Sequence, residues 1–90
     1  MAKRNKLEII RDILEIIKEN HNLIRPTPLL RKSNLSTARF QEYFKGMLEK
    51  RFVVEIIDSK DKRNIKLTDK GFKFLEKYRV IVSFIEEFEL

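Results

Sequence analysis

The segment TPLLRKSNLSTARFQEYFKGMLEK, residues 27–50, decides how this chain folds. Thr27 is a good N-cap, and Pro28 suits a first helical position, where its missing N–H has no intrahelical use. The spacing predicts a short helix from Pro28 to about Lys32. Ser33-Asn34 ends it, because asparagine accepts the left-handed backbone that a tight turn needs. Leu35 is expected to point inward from that turn. Ser36 caps the next helix, expected over residues 37–51. Its apolar residues Phe40, Phe44, Met47 and Leu48 follow one another at four, three and one positions, which is one helical face. Thr37, Arg39, Gln41, Glu42 and Lys45 fall on the opposite side. Two helices joined by a turn of about four residues, the second longer and polar outside near its start, form a helix-turn-helix.

Downstream, Phe52 to Ile57 changes character. Val53, Val54, Ile56 and Ile57 are β-branched and favour a strand. Residues 58–64 are wholly polar, with Lys60, Lys62 and Arg63 among them. Ile65-Lys66-Leu67 then returns with period two. These stretches predict a β-hairpin with a charged tip, and a helix-turn-helix followed by such a hairpin is a winged helix.

Upstream, Leu7, Ile10, Ile13, Leu14 and Ile17 mark a helix over residues 7–18, widened by Ile9 and Ile16. Asn5 and Glu8 have the spacing of a capping box. So wide a stripe implies burial on two sides, one in the chain's own core and the other open to a second chain. The last helix is expected from Asp69 to Phe88, capped by Thr68. Phe72 and Leu75 should pack on the body. Phe74, Tyr78, Ile81, Ile85 and Phe88 repeat at four, three, four and three residues, a heptad seam. Val80, Val82 and Phe84 leave the second half apolar nearly all round, which marks an interface. The expected fold class is therefore mostly α with a small β-hairpin (α+β). It is a winged helix-turn-helix with a long C-terminal dimerisation helix. The whole of 1–90 forms one domain, divided into helix-turn-helix and wing (1–67) and dimerisation helix (68–90).

Composition narrows the function. Ninety residues is the size of one domain. There is no cysteine, so disulfides, thiolate zinc sites and cysteine nucleophiles are excluded. A lone histidine, His21, leaves little for a metal site and reads as a loop residue beside Asn20 and Asn22. Two distant glycines, Gly46 and Gly71, make no phosphate-cradling loop. No apolar run is long enough to span a bilayer, and no export signal opens the sequence. No cofactor, metal, membrane partner, small-molecule substrate or catalytic residue is therefore expected, and the protein reads as cytoplasmic rather than as an enzyme. Net charge is +6. Residues 31–66 hold ten basic and five acidic groups, so +5 of it lies mid-chain. A concentrated positive field attracts polyanions, nucleic acid first.

The order Thr27-Pro28-Leu29-Leu30, Asn34-Leu35-Ser36, Leu48-Glu49-Lys50, wing, then Leu67-Thr68-Asp69-Lys70-Gly71 resembles archaeal winged-helix DNA-binding proteins. That group of small archaeal predicted regulators includes the Sulfolobus "ten-a" chromatin protein type. The resemblance covers nearly the whole chain. It implies DNA binding and an antiparallel coiled coil of the C-terminal helices, shorter here because the helix stops by Leu90. Absence of cysteine and abundant Ile, Lys and Glu agree with a thermophilic source.

A helix in the major groove presents its N-terminal residues to base edges. Ser36, Thr37, Arg39 and Gln41 are the candidates here, with Arg39 matched to guanine and Gln41 to adenine, and Lys45 is expected among the other DNA-binding residues. Glu42 either meets cytosine or pairs with Lys45 or Arg39. Thr27 and Lys32 are expected on phosphates, and Lys60, Lys62 and Arg63 on a neighbouring phosphate or the minor groove. Phe74, Tyr78, Ile81, Ile85 and Phe88 are expected at the homodimer interface. The expected function is a dimeric regulator or nucleoid-associated chromatin factor on double-stranded DNA. The alternative is a winged-helix protein-interaction module of a larger assembly, its basic face an ordinary solvated surface.

Overall fold

A computed structural model of the chain describes residues 4–90. The elements run α1 (Lys6–Glu19), α2 (Pro26–Ser33), α3 (Thr37–Glu49), β1 (Val53–Ile57), β2 (Arg63–Leu67) and α4 (Asp69–Glu87). Four helices and one antiparallel hairpin make an α+β winged-helix arrangement with a long final helix. The long axis is 50 Å against 28 and 22 Å for the others, because the second half of α4 projects past the body.

Helix α1 is the hub. The Asn5–Glu8 capping box forms, with the Glu8 N–H donating to Asn5 Oδ1 at 2.9 Å. Ile9, Ile10, Ile13, Leu14 and Ile17 are buried against α2, β2 and α4. Both sides of its stripe are thus covered within one chain, and only Leu7 among its aliphatic residues remains exposed. A second chain on α1 is not needed to bury it. Leu29, Phe40, Phe44, Met47, Val53, Ile65, Leu67 and Leu75 complete the core. Each fully buried Leu, Ile or Phe contributes about 1.5–3 kcal/mol of transfer free energy.

Helix α2 starts earlier than its caps suggest. Arg25 is the N-cap residue, without a side-chain capping bond, and Pro26 occupies the first helical position. Thr27 is therefore not the cap but lies exposed in the first turn. The reason is that both prolines fit there: Pro26 at the first position and Pro28 at the third replace N–H groups that have no intrahelical acceptor. The turn after α2 behaves as the sequence requires. Asn34 has φ 62°, and Leu35 packs against the core.

The hairpin pairs Val53 with Leu67 and Ile57 with Arg63. Ile24 exchanges two backbone hydrogen bonds with Ile65, at 3.0 and 2.7 Å, as an isolated antiparallel bridge on β2. Strand β2 begins at Arg63, two residues earlier than its alternation predicts. The polar residues Arg63 and Asn64 pair with Ile57 and Ile56, so a polar sequence still completes the ladder. The tip accordingly shrinks to residues 58–62, and Arg63 sits in the strand.

Thr68 caps α4 by accepting from the Gly71 N–H, and its hydroxyl donates to the Arg51 and Phe52 carbonyls. A Cβ on Gly71 would collide with the Phe52 carbonyl oxygen and come within 3.2 Å of Leu67 Cγ. Glycine lets α4 touch the hairpin base there. Of the two residues expected on the body, Leu75 is buried, together with Gly71, and Phe72 is exposed because it follows Gly71 by 100° round the helix.

Candidate nucleic-acid interface

Helix α3 divides cleanly into two faces. Phe40, Phe44 and Met47 are buried, with the Phe40 and Phe44 rings stacked at 5.5 Å. Thr37, Arg39, Gln41, Glu42 and Lys45 are all exposed on the other side. Ser36 begins the helix as N-cap, its Oγ accepting from the Arg39 N–H at 3.2 Å. The remaining N–H groups of the first turn are directed outward from the helix start, where an anion is favourably held. The Arg39 guanidinium lies 5.9 Å from the Tyr43 ring centroid, over its face. That contact orients Arg39 without consuming its hydrogen-bond donors. Among the described residues Glu42 makes no ion pair with either Arg39 or Lys45.

Thr27 and Lys32 are exposed on α2, and Ser33 is buried. The Ser33 carbonyl accepts from Arg4 Nη2 at 3.1 Å, and Arg4 Nη1 donates to Asp12 at 2.9 Å. Arg11 Nε donates to the other Asp12 oxygen at 2.6 Å, and its guanidinium covers the Tyr78 ring at 5.0 Å. Burial pulls the Arg11 pKa down, but the hydrogen bond and charge of Asp12 outweigh it and hold the group above the ordinary arginine value. These two arginines tie α1 to α2 and α4 and take no part in the α3 face.

The wing is organised by Asp58. Its Oδ1 accepts from the N–H groups of Lys60 and Lys62 at 2.8 and 3.0 Å, and its Oδ2 from the Asn64 amide at 3.3 Å. Asp61, with φ 59°, turns the chain between them. The Lys62 and Lys60 N–H groups, joined by Asn64 and the Arg25 charge, hold the Asp58 carboxyl below its usual range. Arg25 Nη2 lies 4.0 Å from Asp58 Oδ2, which brings the wing base to the start of α2. Lys60 and Lys62 are left exposed on a fixed turn. Arg63 is engaged instead, its Nε donating to Glu55 Oε2 at 2.7 Å across the hairpin.

The expected site residues thus fall into two exposed groups: Ser36, Thr37, Arg39, Gln41 and Lys45 on α3, and Lys60 and Lys62 on the wing. Thr27 and Lys32 are exposed on α2, ahead of both groups in sequence, and Arg63 is turned into a cross-strand pair. Asp58 and Arg25 were not singled out by sequence reasoning. An aspartate opening a polar turn is the signal that points to Asp58, since its carboxylate caps the amides two and four residues on. Arg25 has no comparable local signal, because its partner is thirty-three residues away.

On α4, Phe74 packs on Phe52 with ring centroids 5.3 Å apart, and Tyr78 lies 6.3 Å from Phe74. The first half of the heptad seam is therefore shared with the chain's own body. Ile81, Ile85 and Phe88 are exposed, as are Val80 and Phe84. Among the described residues no group of three or more His, Cys, Asp or Glu side chains is gathered as for a metal ion, and no helix is long and apolar enough to cross a membrane.

A family model described as winged helix-turn-helix matches residues 3–86. We found no match among curated proteins. The matched span runs from the start of α1 to the end of α4 and takes in the α2–turn–α3 unit and its wing, so the chain belongs to the winged helix-turn-helix family.

Proposed function

We propose that this protein is a dimeric winged-helix DNA-binding protein, a transcriptional regulator or chromatin-associated factor acting on duplex DNA in the nucleoid. The observation that carries the reading is the polar face of α3. Thr37, Arg39, Gln41 and Lys45 are exposed along it, and Phe40, Phe44 and Met47 are buried on the other side. An α-helix fits the major groove, where arginine reads guanine and glutamine reads adenine through paired hydrogen bonds. Thr27, Lys32 and the N-termini of α2 and α3 hold flanking phosphates, Ser36 stands with Thr37 at the base edges, and Lys60 and Lys62 bring the wing to the backbone or minor groove. Arg63 contributes charge from the strand and not from the tip. Residues 68–90 are the pairing helix of this single unit. Ile81, Ile85 and Phe88, with Phe74 and Tyr78 at the start of the seam, form the dimer contact. Their exposure supports this, since Phe88 is 58% and Ile81 52% accessible in the single chain.

Fluorescence anisotropy of a mixed-sequence duplex, titrated across a salt series, tests the proposal. Log affinity should fall linearly with log salt, by roughly 0.9 for each phosphate neutralised. Weak, salt-insensitive binding would overturn it and favour a protein-interaction module.

A further inference from the structure

We propose that the hollow between the start of α1 and one edge of α3 is a binding site for a small aromatic carboxylate, and that a ligand held there takes Arg39 away from DNA. The second half of the proposal rests on the DNA reading above. The first half stands on the hollow alone.

Arg39, Tyr43, Gly46 and Lys50 follow one another at four, three and four residues, so they share one edge of α3, beside its buried face. Lys6 and Ile10 of α1 and Phe52 from the hairpin base complete the lining with them. The hollow holds about 350 Å³, at the lower end of the range for small-molecule sites. Gly46 makes the room. A Cβ there would meet nothing within 4 Å, so no close packing demands glycine as it does at Gly71. Its φ is negative, so the backbone does not demand glycine either. Glycine inside a helix lowers stability relative to every other residue except proline. What it supplies at this position is open space beside Tyr43 and Met47.

The lining sets the ligand's chemistry. Ile10 and Met47 are buried, and Tyr43 and Phe52 are half-buried. Two rings and a thioether favour a flat aromatic body. Lys6, Arg39 and Lys50 line the same hollow and are exposed, and among the described residues none of them makes an ion pair. Against these three cations stands Glu42. The positive start of α1 and the negative end of α3 cancel to first order. The excess of positive charge draws a carboxylate and disfavours a cation. Arg39 is the group that couples this site to DNA. Its guanidinium lies over the Tyr43 ring with its donors free. A carboxylate takes those donors as a bidentate pair, and the same donors are the ones that read guanine. Ligand and duplex therefore compete for one side chain, and each weakens the other by the same factor.

Titration with naphthoate, followed through amide chemical shifts, tests the site without DNA. The shifts should saturate and be largest at Tyr43 to Lys50 and at Lys6 to Ile10. Naphthamide, of the same shape but uncharged, should bind about tenfold or more weakly. The variant G46L fills the hollow and gains helix propensity, so it should stay folded by circular dichroism and show no saturable shift. K6Q/K50Q should weaken naphthoate about tenfold and leave naphthamide unaffected. Equal binding of naphthoate and naphthamide, undiminished binding to G46L, or no saturable shift in the native chain would overturn the site. Duplex anisotropy at constant ionic strength tests the coupling. Saturating naphthoate should lower duplex affinity about fivefold or more in the native chain and leave it unchanged in G46L. Unchanged affinity in the native chain at saturation would overturn the role of Arg39 as the shared group. A chain that binds no duplex at any salt would overturn the DNA reading and the coupling with it, and the naphthoate shifts alone would then decide the site.

Discussion

The Lys62 N–H donates to Asp58 Oδ1 at 3.0 Å, and the Asp58 N–H donates back to the Lys62 carbonyl at 2.9 Å. This reciprocal pair closes the wing and fixes where Lys60 and Lys62 are presented. Its strength depends on the charge of Asp58, whose pKa is lowered by the Lys62 and Lys60 amides.

A lowered folded-state pKa has a definite consequence for pH dependence. The wing closure contributes fully above the unfolded aspartate pKa and is lost as pH falls through the lower, folded value. Amide chemical shifts of Lys60 and Lys62, followed through an acid titration, should therefore move together with a midpoint below the ordinary aspartate range. The variant D58N should remove that midpoint and leave the core spectrum unchanged. A Lys62 amide that titrates identically in D58N would show that Asp58 does not hold the turn.

The two glycines make opposite predictions. A Cβ on Gly71 meets the Phe52 carbonyl, so G71A should destabilise the fold by about 1–3 kcal/mol through overpacking. A Cβ on Gly46 meets nothing within 4 Å, so G46A should stabilise it by up to about 1 kcal/mol through helix propensity. Urea unfolding of both variants at equal m-value tests the pair. Equal effects in one direction would contradict the placement of α4 on the hairpin.

Much of this architecture was legible in the sequence, and the reasons are local. Asn5 and Glu8, Asn34, Ser36 and Thr68 each act within four residues, and their backbone roles follow from side-chain chemistry. Phe40, Phe44 and Met47 declare the buried face of α3 by spacing alone. What the sequence hid depends on partners far along the chain. Two prolines two residues apart both suit a helix start; in the fold Pro26 takes the first helical position, and Ile24, two residues before it, is bridged to Ile65. Phe72 looks like a core residue until Gly71 is seen to make the contact with Phe52. Arg63 reads as a tip charge until Glu55 is placed across the hairpin from it. On the candidate interface the exposed α3 side chains were readable, whereas the Arg25–Asp58 link beneath the wing was not.

Single alanine substitutions separate base reading from backbone holding. R39A should cost about 1–3 kcal/mol of binding, with the loss depending on the duplex sequence. K62A should weaken all duplexes alike and lessen the salt slope by about one. Anisotropy titrations on a set of duplexes differing by single base pairs provide the measurement. If R39A and K62A both bind every duplex as the parent does, the face is not the contact surface.

The central claim is that duplex DNA lies on the outer face of α3 and on the wing turn. Amide chemical-shift mapping of the native protein during titration with a short duplex tests it most directly. The largest changes should cluster at Ser36 to Lys45 and at Lys60 to Lys62, and the amides of Ile13 to Ile17 should stay in place. Largest changes along the exposed end of α4, with the α3 amides unmoved by saturating duplex, would contradict it.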